Sequence, residues 1–389
     1  MKIALTADWH FRGKDLDAAA LQLRGLIAAC REHGVRDVCV AGDIFDTSNI
    51  HDSQATTGEI VSAILPLIAQ SEINWLMIPG NHDVRGVGQS DALEVFGALD
   101  NVMVVRRHGW AEIGNGVHAY CMPWDWSGAS ADELLATMPG CPEQPAKTLL
   151  LAHVQVVGAK LNRFRTMEAG GTWCLSRETL EKCGFDRICL GDFHARQELV
   201  PGRGGYVGAL RQLSFGEEGN PSGFEIWDAE KNAVQYVPLP GAPEYFTREI
   251  SGVGDLDAFL HSRKTGANYK VRFVNCFAPD RARIADIEAA GIIVEQVVEA
   301  TERTSRAEAI PPEGIIDDPI ALLRLWASAQ SPPVEGGDLQ ALIDLHNEHS
   351  ARGNRFAADT AGEAHAPAVP SAPEPACAVA TTDNEEWLF

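Results

Sequence analysis

Two spacings of apolar residues alternate along the first 240 positions. Short, almost wholly apolar runs occur at Lys2–Ala7, Val38–Ala41, Trp75–Ile78, Leu149–Ala152 and Ile188–Leu190. Runs of that length, set off by turn-forming residues, predict buried strands. Between them the apolar positions recur at helical intervals. From Asp15 to His33 they are Leu16, Ala19, Leu23, Leu26, Ile27 and Cys30, and Gly34 follows as a C-terminal stop. Strands spaced by helices predict an α/β domain over residues 1–240, with helices covering a sheet.

From Glu244 to Glu299 the pattern changes. Strand-like Phe246–Ile250, helical Leu256–Arg263, strand-like Tyr269–Phe277, helical Arg281–Ala290 and strand-like Ile292–Val298 predict a second, small α/β domain at 241–300. Lys270 and Arg272 occupy alternate positions of its middle strand, on a face that is either solvated or turned to phosphate. A polar, proline-containing linker fills 301–316. The segment 317–352 then carries two helical patterns. One is opened by Asp318-Pro319 and bears Ile320, Leu323 and Trp326; the other starts at Asp338 and bears Leu339, Leu342, Ile343 and His346. Such stripes pack on the protein's own body or receive a partner helix. Residues 353–389 are Ala/Pro-rich with few large apolar groups, which predicts a disordered acidic tail. Its end, Asp383-Asn384-Glu385-Glu386-Trp387-Leu388-Phe389, has the makings of a docking peptide for a replication or repair protein.

Composition narrows the class. No run approaches the eighteen or so apolar residues of a membrane helix, and the first eight residues turn polar too soon for a secretory signal. Nine cysteines are scattered without a CxxC pair, which suits a reducing cytoplasm. The formal net charge of -22 argues against tight binding of bare nucleic acid. Carboxylates that bind divalent ions, however, present no net negative charge once loaded. An acidic tail away from the site would also count in the total without opposing a substrate.

The chemistry lies where the strand-like runs end. Lys2–Ala7 runs into Asp8-Trp9-His10, and Val38–Ala41 into Gly42-Asp43-Ile44-Phe45-Asp46. Trp75–Ile78 runs into Pro79-Gly80-Asn81-His82-Asp83, Leu149–Ala152 into His153, and Ile188–Leu190 into Gly191-Asp192-Phe193-His194. In open α/β sheets the ligand crevice lies outside the carboxyl ends of the strands. One carboxylate–imidazole–amide cluster is therefore expected on a single rim. Each piece alone has an ordinary reading: Asp43 or Asp46 as a helix cap, His153 as a core histidine. The donors are hard or intermediate and include no thiolate, which suits Mn, Mg, Fe or Zn rather than a structural zinc. They exceed what one such ion takes. A bridging carboxylate would let two ions share them, roughly 3.5–4 Å apart, the arrangement that clamps both oxygens of an in-line phosphoryl displacement.

The ordered set D-x-H, GD-x-x-D, GNHD, a later H and a final G-x-x-H resembles the signature of calcineurin-like metallophosphoesterases. Within them Asp8–Gly13, Gly42–Thr47 and the stretch Tyr206–Glu217 are similar to SbcD-type DNA repair nucleases. The resemblance implies a four-layer sandwich, two sheets flanked by helices, with a DNA-capping domain at 241–300 and a C-terminal helical pair. It implies one ion, preferably Mn, on Asp8, His10, Asp43 and His194, and another on Asp43, Asn81, His153 and Asp192. His82 would protonate the leaving oxygen, with Asp83 either orienting it or serving as a turn residue. DNA as substrate, an SbcC-like coiled-coil ATPase as partner and a homodimer are implied too, the dimer with Asp15–His33 and Ser53–Gln70 as candidate contacts. The usual final motif is G-H-x-H; here Asp192 stands for its first histidine, which implies a retained site of altered metal preference. A phosphoesterase for small phosphodiesters or nucleotides, and a silent binding scaffold, are the other classes this pattern admits.

Overall fold

The structure, a computed structural model, describes residues 1–13, 16–46, 54–84, 91–161, 166–168, 171, 173–274, 277, 279–295 and 340. The expected linker, helical pair (apart from Gln340) and tail lie outside the described residues. The chain divides between Ala300 and Thr301, and the architecture below belongs to Met1–Ala300.

In chain order the first elements are β1 (Lys2–Thr6), α1 (Leu16–His33), β2 (Asp37–Ala41), α2 (Gln54–Ala69), β3 (Asn74–Ile78) and β4 (Val102–Val104). Next come β5 (Gly109–Gly114), β6 (Val117–Met122), α3 (Ala131–Ala136), β7 (Lys147–His153), and the short pair β8 (Gln155–Val156) and β9 (Cys174–Leu175). There follow α4 (Arg177–Lys182), β10 (Arg187–Gly191), β11 (Gln197–Val200), β12 (Gly204–Tyr206), β13 (Gly223–Asp228) and β14 (Ala233–Pro238). The last are β15 (Tyr245–Ile250), α5 (Val253–Ser262), β16 (Asn268–Phe273), α6 (Arg281–Ala289) and β17 (Ile293–Glu295).

Two six-stranded sheets result, ordered β14-β13-β1-β2-β3-β4 and β11-β12-β10-β7-β6-β5. The side-chain period of a strand explains how they stack. Ile3, Leu5, Cys39, Ala41, Leu76 and Ile78 of the first sheet meet Ala119, Cys121, Leu149, Leu151 and Cys189 of the second in one buried layer. The intervening residues Ala4, Val38, Val40, Trp75 and Met77 turn outward onto Leu23, Leu26, Ile27 and Cys30 of α1 and Ile60, Ile64 and Ile68 of α2. Tyr120, Leu150, Ala152, Ile188 and Leu190 turn outward from the other sheet onto Leu135 of α3 and Leu180 of α4. The layers are helix, sheet, sheet, helix. Both sheets have parallel cores: β1, β2 and β3 run together, as do β6, β7 and β10. Their carboxyl ends therefore form one rim in each sheet.

Residues 245–295 make a three-stranded parallel sheet, β15-β16-β17, with a core of its own around Leu256, Phe259, Val271, Phe273 and Ile287. The middle strand ends at Phe273, short of the Phe277 that the sequence suggested. Lys270 and Arg272 do share a face there, but each is paired with Glu295, and Lys270 also lies over the Phe215 ring. Among the described residues no helix is long and apolar enough to cross a membrane.

Candidate metal centre

The loops after β1 and β2 are zipped together by backbone hydrogen bonds. Asp8 N–H donates to Gly42 O (3.0 Å), His10 N–H to Asp43 O (2.9 Å) and Phe11 N–H to Ile44 O (2.8 Å). To turn back over the sheet within so few residues, Asp8, His10 and Asp43 take positive φ of 53°, 45° and 52°, and Asp192 takes 107°. Left-handed backbone at non-glycine residues costs on the order of 1–3 kcal/mol each and collects at functional sites. Four such positions here all carry candidate donors. Two glycines make room. Gly42 has φ +85°, and a Cβ there would fall on the His153 imidazole; a Cβ on Gly80 would fall on the Asp43 carboxylate.

The side chains converge around Asp43. Its Oδ2 lies 3.5 Å from His10 Nε2 and 3.4 Å from His153 Nε2, so one carboxylate faces donors on both sides. On the first side His10 Nε2 and His194 Nε2 are 3.1 Å apart, with Asp8 close to both. On the second, His153 Nε2 is 2.9 Å from Asn81 Oδ1 and 3.8 Å from Asp192 Oδ1. Asp192 N–H donates to Asp8 Oδ1 (3.0 Å), and His82 N–H to Asp43 Oδ1 (2.9 Å). All seven residues expected to ligate, Asp8, His10, Asp43, Asn81, His153, Asp192 and His194, thus lie in one connected cluster.

The protein alone does not satisfy this cluster. Asp8 Oδ2 and Asp192 Oδ2 are buried without a hydrogen-bond partner, where an unpaired carboxylate oxygen is costly. Burial pushes the Asp8 carboxyl up to about 7, against the pull of His194 and His153, and pushes Asp192 upward as well. Burial pushes His10 down to about 4 despite Asp46. Burial also opposes the charge on Asp43, but His153, His10 and His82 around it together prevail and hold the carboxyl well below its usual range. Buried carboxylates with orphaned oxygens, facing imidazole nitrogens, are what divalent cations would complete. The residues present fit such ions.

Outer contacts fix the imidazoles. His153 Nδ1 lies 2.7 Å from Ala41 O; a carbonyl only accepts, so Nδ1 carries a proton and Nε2 is the nitrogen that faces the cluster, where a bound ion would replace its proton. His82 Nδ1 is likewise 2.6 Å from Asp46 O, which leaves His82 Nε2 free for chemistry. The His82 ring stands edge-on to His10 with centroids 4.8 Å apart. The orienting part considered for Asp83 therefore falls to the Asp46 carbonyl. Asp83 is fully buried and accepts from the backbone N–H groups of Ile44, Phe45 and Gly80 (3.3, 2.9 and 2.9 Å), stapling the two donor loops together. Sequence reasoning did not assign Glu217 a role. Its Oε1 meets His194 Nδ1 at 2.9 Å and its Oε2 accepts from Leu213 N–H at 2.8 Å.

Glu217 belongs to a strap, residues 211–218, that touches the centre and the small sheet alike. Toward the centre, Arg211 donates to Trp9 O and His10 O. Toward the small sheet, Gln212 and Glu218 accept from Tyr245 N–H (3.0 Å) and Thr247 N–H (2.9 Å), Glu218 pairs with Arg248 (2.9 Å), and Phe215 stands edge-on to Tyr245.

A family model, calcineurin-like phosphoesterase, matches residues 1–196, from before the first strand to just past His194. The SbcD component of the nuclease SbcCD from Staphylococcus saprophyticus is 26% identical over 267 residues, 61% of this chain and 69% of that protein. The exonuclease subunit 1 of Enterobacteria phage T4 is 24% identical over 253 residues, 61% of this chain and 68% of that protein. Among solved structures, a dimetal phosphatase from Danio rerio matches 58% of this chain and 91% of its own, at 11% identity and a TM-score of 0.35. Half of the chain, including every strand end that delivers a donor, falls within the matched span, and the protein belongs to the calcineurin-like phosphoesterases, a family of metal-dependent hydrolases.

Proposed function

We propose that this protein hydrolyses the phosphodiester backbone of DNA, as the nuclease subunit of a complex with an SbcC-like coiled-coil ATPase. The observation that carries the two-metal reading is Asp43, a buried carboxylate with imidazole nitrogens 3.4–3.5 Å away on both sides. In this reading Asp8, His10, Asp43 and His194 hold one ion, and Asp43, Asn81, His153 and Asp192 the other, with Mn favoured. Such ions supply Lewis acidity toward the oxygens of the phosphodiester. Five strand ends hold the donors rigid, and the Ala41 carbonyl fixes a proton of His153 on Nδ1, so that Nε2 is the nitrogen turned to the cluster. As water bonds to phosphorus and the bond to the leaving oxygen breaks, His82, pinned through Nδ1 to Asp46 O, gives the Nε2 proton of its imidazolium form to that oxygen.

DNA is favoured as substrate by the two nuclease relatives and by the small domain beside the centre, which a small-molecule enzyme has no need of. The roles of 241–300 as a DNA cap and of 317–352 as the ATPase-binding segment, and a homodimer, belong to the same reading. So does docking of residues 383–389 to a replication or repair protein.

Hydrolysis of linear single- and double-stranded DNA with Mn, beside His82→Ala and with bis-(p-nitrophenyl) phosphate in parallel, tests it. Loss of DNA cleavage by about 10²–10⁴-fold in the variant is expected from removal of a general acid. Turnover of the small diester but not of DNA, with or without an SbcC-like partner, would move the substrate to small phosphodiesters.

A further inference from the structure

One more strand end reaches the rim. β6 runs parallel to β7 with Met122 opposite Ala152, so the residues after Met122 emerge beside His153. They are Pro123, Trp124, Asp125 and Trp126. Trp124 N–H donates to Pro79 O (3.0 Å), which ties this loop to the turn bearing Asn81 and His82. The Trp124 indole stands edge-on to the His153 imidazole, with centroids 6.0 Å apart and planes at 69°. Trp126 stands edge-on to Trp124 in turn, at 5.6 Å and 62°, and is 48% exposed.

This loop is anchored on both flanks. Asp125 Oδ1 accepts from Ser127 N–H (2.6 Å), and its Oδ2 lies 3.1 Å from His108 Nε2. His108 stacks on Trp173 with centroids 5.1 Å apart and planes at 27°. Trp173 closes the circle by donating its indole N–H to His153 O at 2.8 Å. Burial works against the Asp125 charge, but the Ser127 and His108 hydrogen bonds prevail and hold its carboxyl below the usual range. A single exposed apolar side chain is ordinary on a protein surface. Here a chain of contacts starting at His153 fixes the backbone on either side of an indole and leaves the ring half open to solvent, two ring contacts from the donor cluster.

We propose that Trp126, backed by Trp124, is a stacking platform for the nucleobase next to the phosphodiester held at the cluster. The proposal rests on the nuclease reading and supplies it with a substrate preference. Every base presents a π face, so the platform positions the strand without selecting its sequence. A base can lie on it only when unstacked from its neighbours, so single strands, gaps and frayed ends are favoured over closed duplex.

The test uses a short single strand whose linkages are all methylphosphonate except one, so that cleavage is confined to one site. The nucleoside on either side of that site is left intact or replaced by an abasic tetrahydrofuran unit. Steady-state kinetics with Mn are compared for wild type, Trp126→Ala and Trp126→Phe. With wild type, removing the stacked base should raise KM by roughly 5- to 150-fold, the range of base–aromatic stacking. Trp126→Ala should raise KM similarly on the intact strand and show no further rise on the abasic one. Trp126→Phe, which keeps a ring in place, should retain most of the dependence on the base. If Trp126→Ala weakens turnover equally on both strands, or wild type ignores base removal, the platform is overturned while the nuclease reading stands. If wild type cleaves no strand at all, the nuclease reading falls and the platform with it.

Discussion

Replacing Gly80 by alanine adds one methyl group, and the structure places it against the bridging carboxylate and one ligand of the second proposed ion at once. The new Cβ would lie 2.7 Å from His153 Cε1 and closer still to the Asp43 carboxylate and its backbone nitrogen. Carbon atoms attract best at about 3.5–4.0 Å, so this contact is strongly repulsive. Neither neighbour can swing into solvent, since His153 and Asp43 are buried. Position 80 does not have a positive φ, so the backbone itself accepts alanine and space is the sole objection. Overpacking of this kind costs about 1–3 kcal/mol in the metal-free fold. Relieving it means moving Asp43 or His153, and disturbing even the outer partners of metal ligands costs 10–100-fold in affinity. With Mn at about 100 times its wild-type Kd, metal binding adds ~2.7 kcal/mol to wild-type stability. A variant weakened about 100-fold would gain only ~0.4 kcal/mol under the same conditions. Calorimetric titration with Mn, and thermal melts with and without the metal, read both numbers. Gly80→Ala that binds Mn as tightly as wild type, with the same rise in Tm, would refute the proposed arrangement of Asp43 and His153.

Other outcomes follow from single contacts. Glu217→Gln keeps an acceptor for Leu213 N–H but removes the charge beside His194 Nδ1. It should raise the Mn concentration for half-maximal activity roughly 10–100-fold; a lower Tm with an unchanged metal requirement would make Glu217 merely an anchor of the fold. Asp192→His should retain activity while changing which divalent ion serves best, and an identical metal profile would sink the idea that Asp192 tunes the site. Asp186 joins the starts of β7 and β10 through Lys147 Nζ (2.6 Å) and Thr148 N–H (2.9 Å); burial opposes its charge, but these bonds hold its pKa below the usual value. A depressed carboxylate pKa stabilises the fold above the unfolded value, about 3.9, and that contribution is lost as pH falls through the folded value. Asp186→Asn should therefore lower stability by about 1 kcal/mol at pH 7, the modest figure reflecting partial solvent exposure, with the gap closing below about pH 4. Urea midpoints at the two pH values decide it, and a gap equal at both would be inconsistent with a charge effect.

The donors could be read from the sequence because each follows a run apolar enough to stand out as a buried strand. The same reading passed over β6, whose six residues are all buried but include His118, which breaks the apolar run. It passed over β14 because that edge strand is largely exposed and Gln235 interrupts its apolar run. Nor does local spacing state that β13 pairs with β1 across more than 200 residues, Leu5 opposite Glu225. The roles within the centre that escaped notice share this origin. Glu217 reaches His194 through a turn, Asp46 contributes a main-chain carbonyl, and Asp83 spends both oxygens on backbone N–H groups. Such roles are set by where loops meet, which side-chain identity does not encode.

The strap at 211–218 makes the centre and the small sheet parts of one thermodynamic system. Neighbouring residues divide the work: Glu217 holds an imidazole of the cluster, and Glu218 holds the first strand of the small sheet. A ligand that binds better when that sheet is shifted, and that moves Glu217 with it, would change the affinity of the cluster for its ions. Linkage makes this reciprocal, because loading the centre must bias the pose of the small sheet by the same free energy. The metal ions are in this sense effectors of the domain beside them, and whatever that domain grips becomes an effector of the metals.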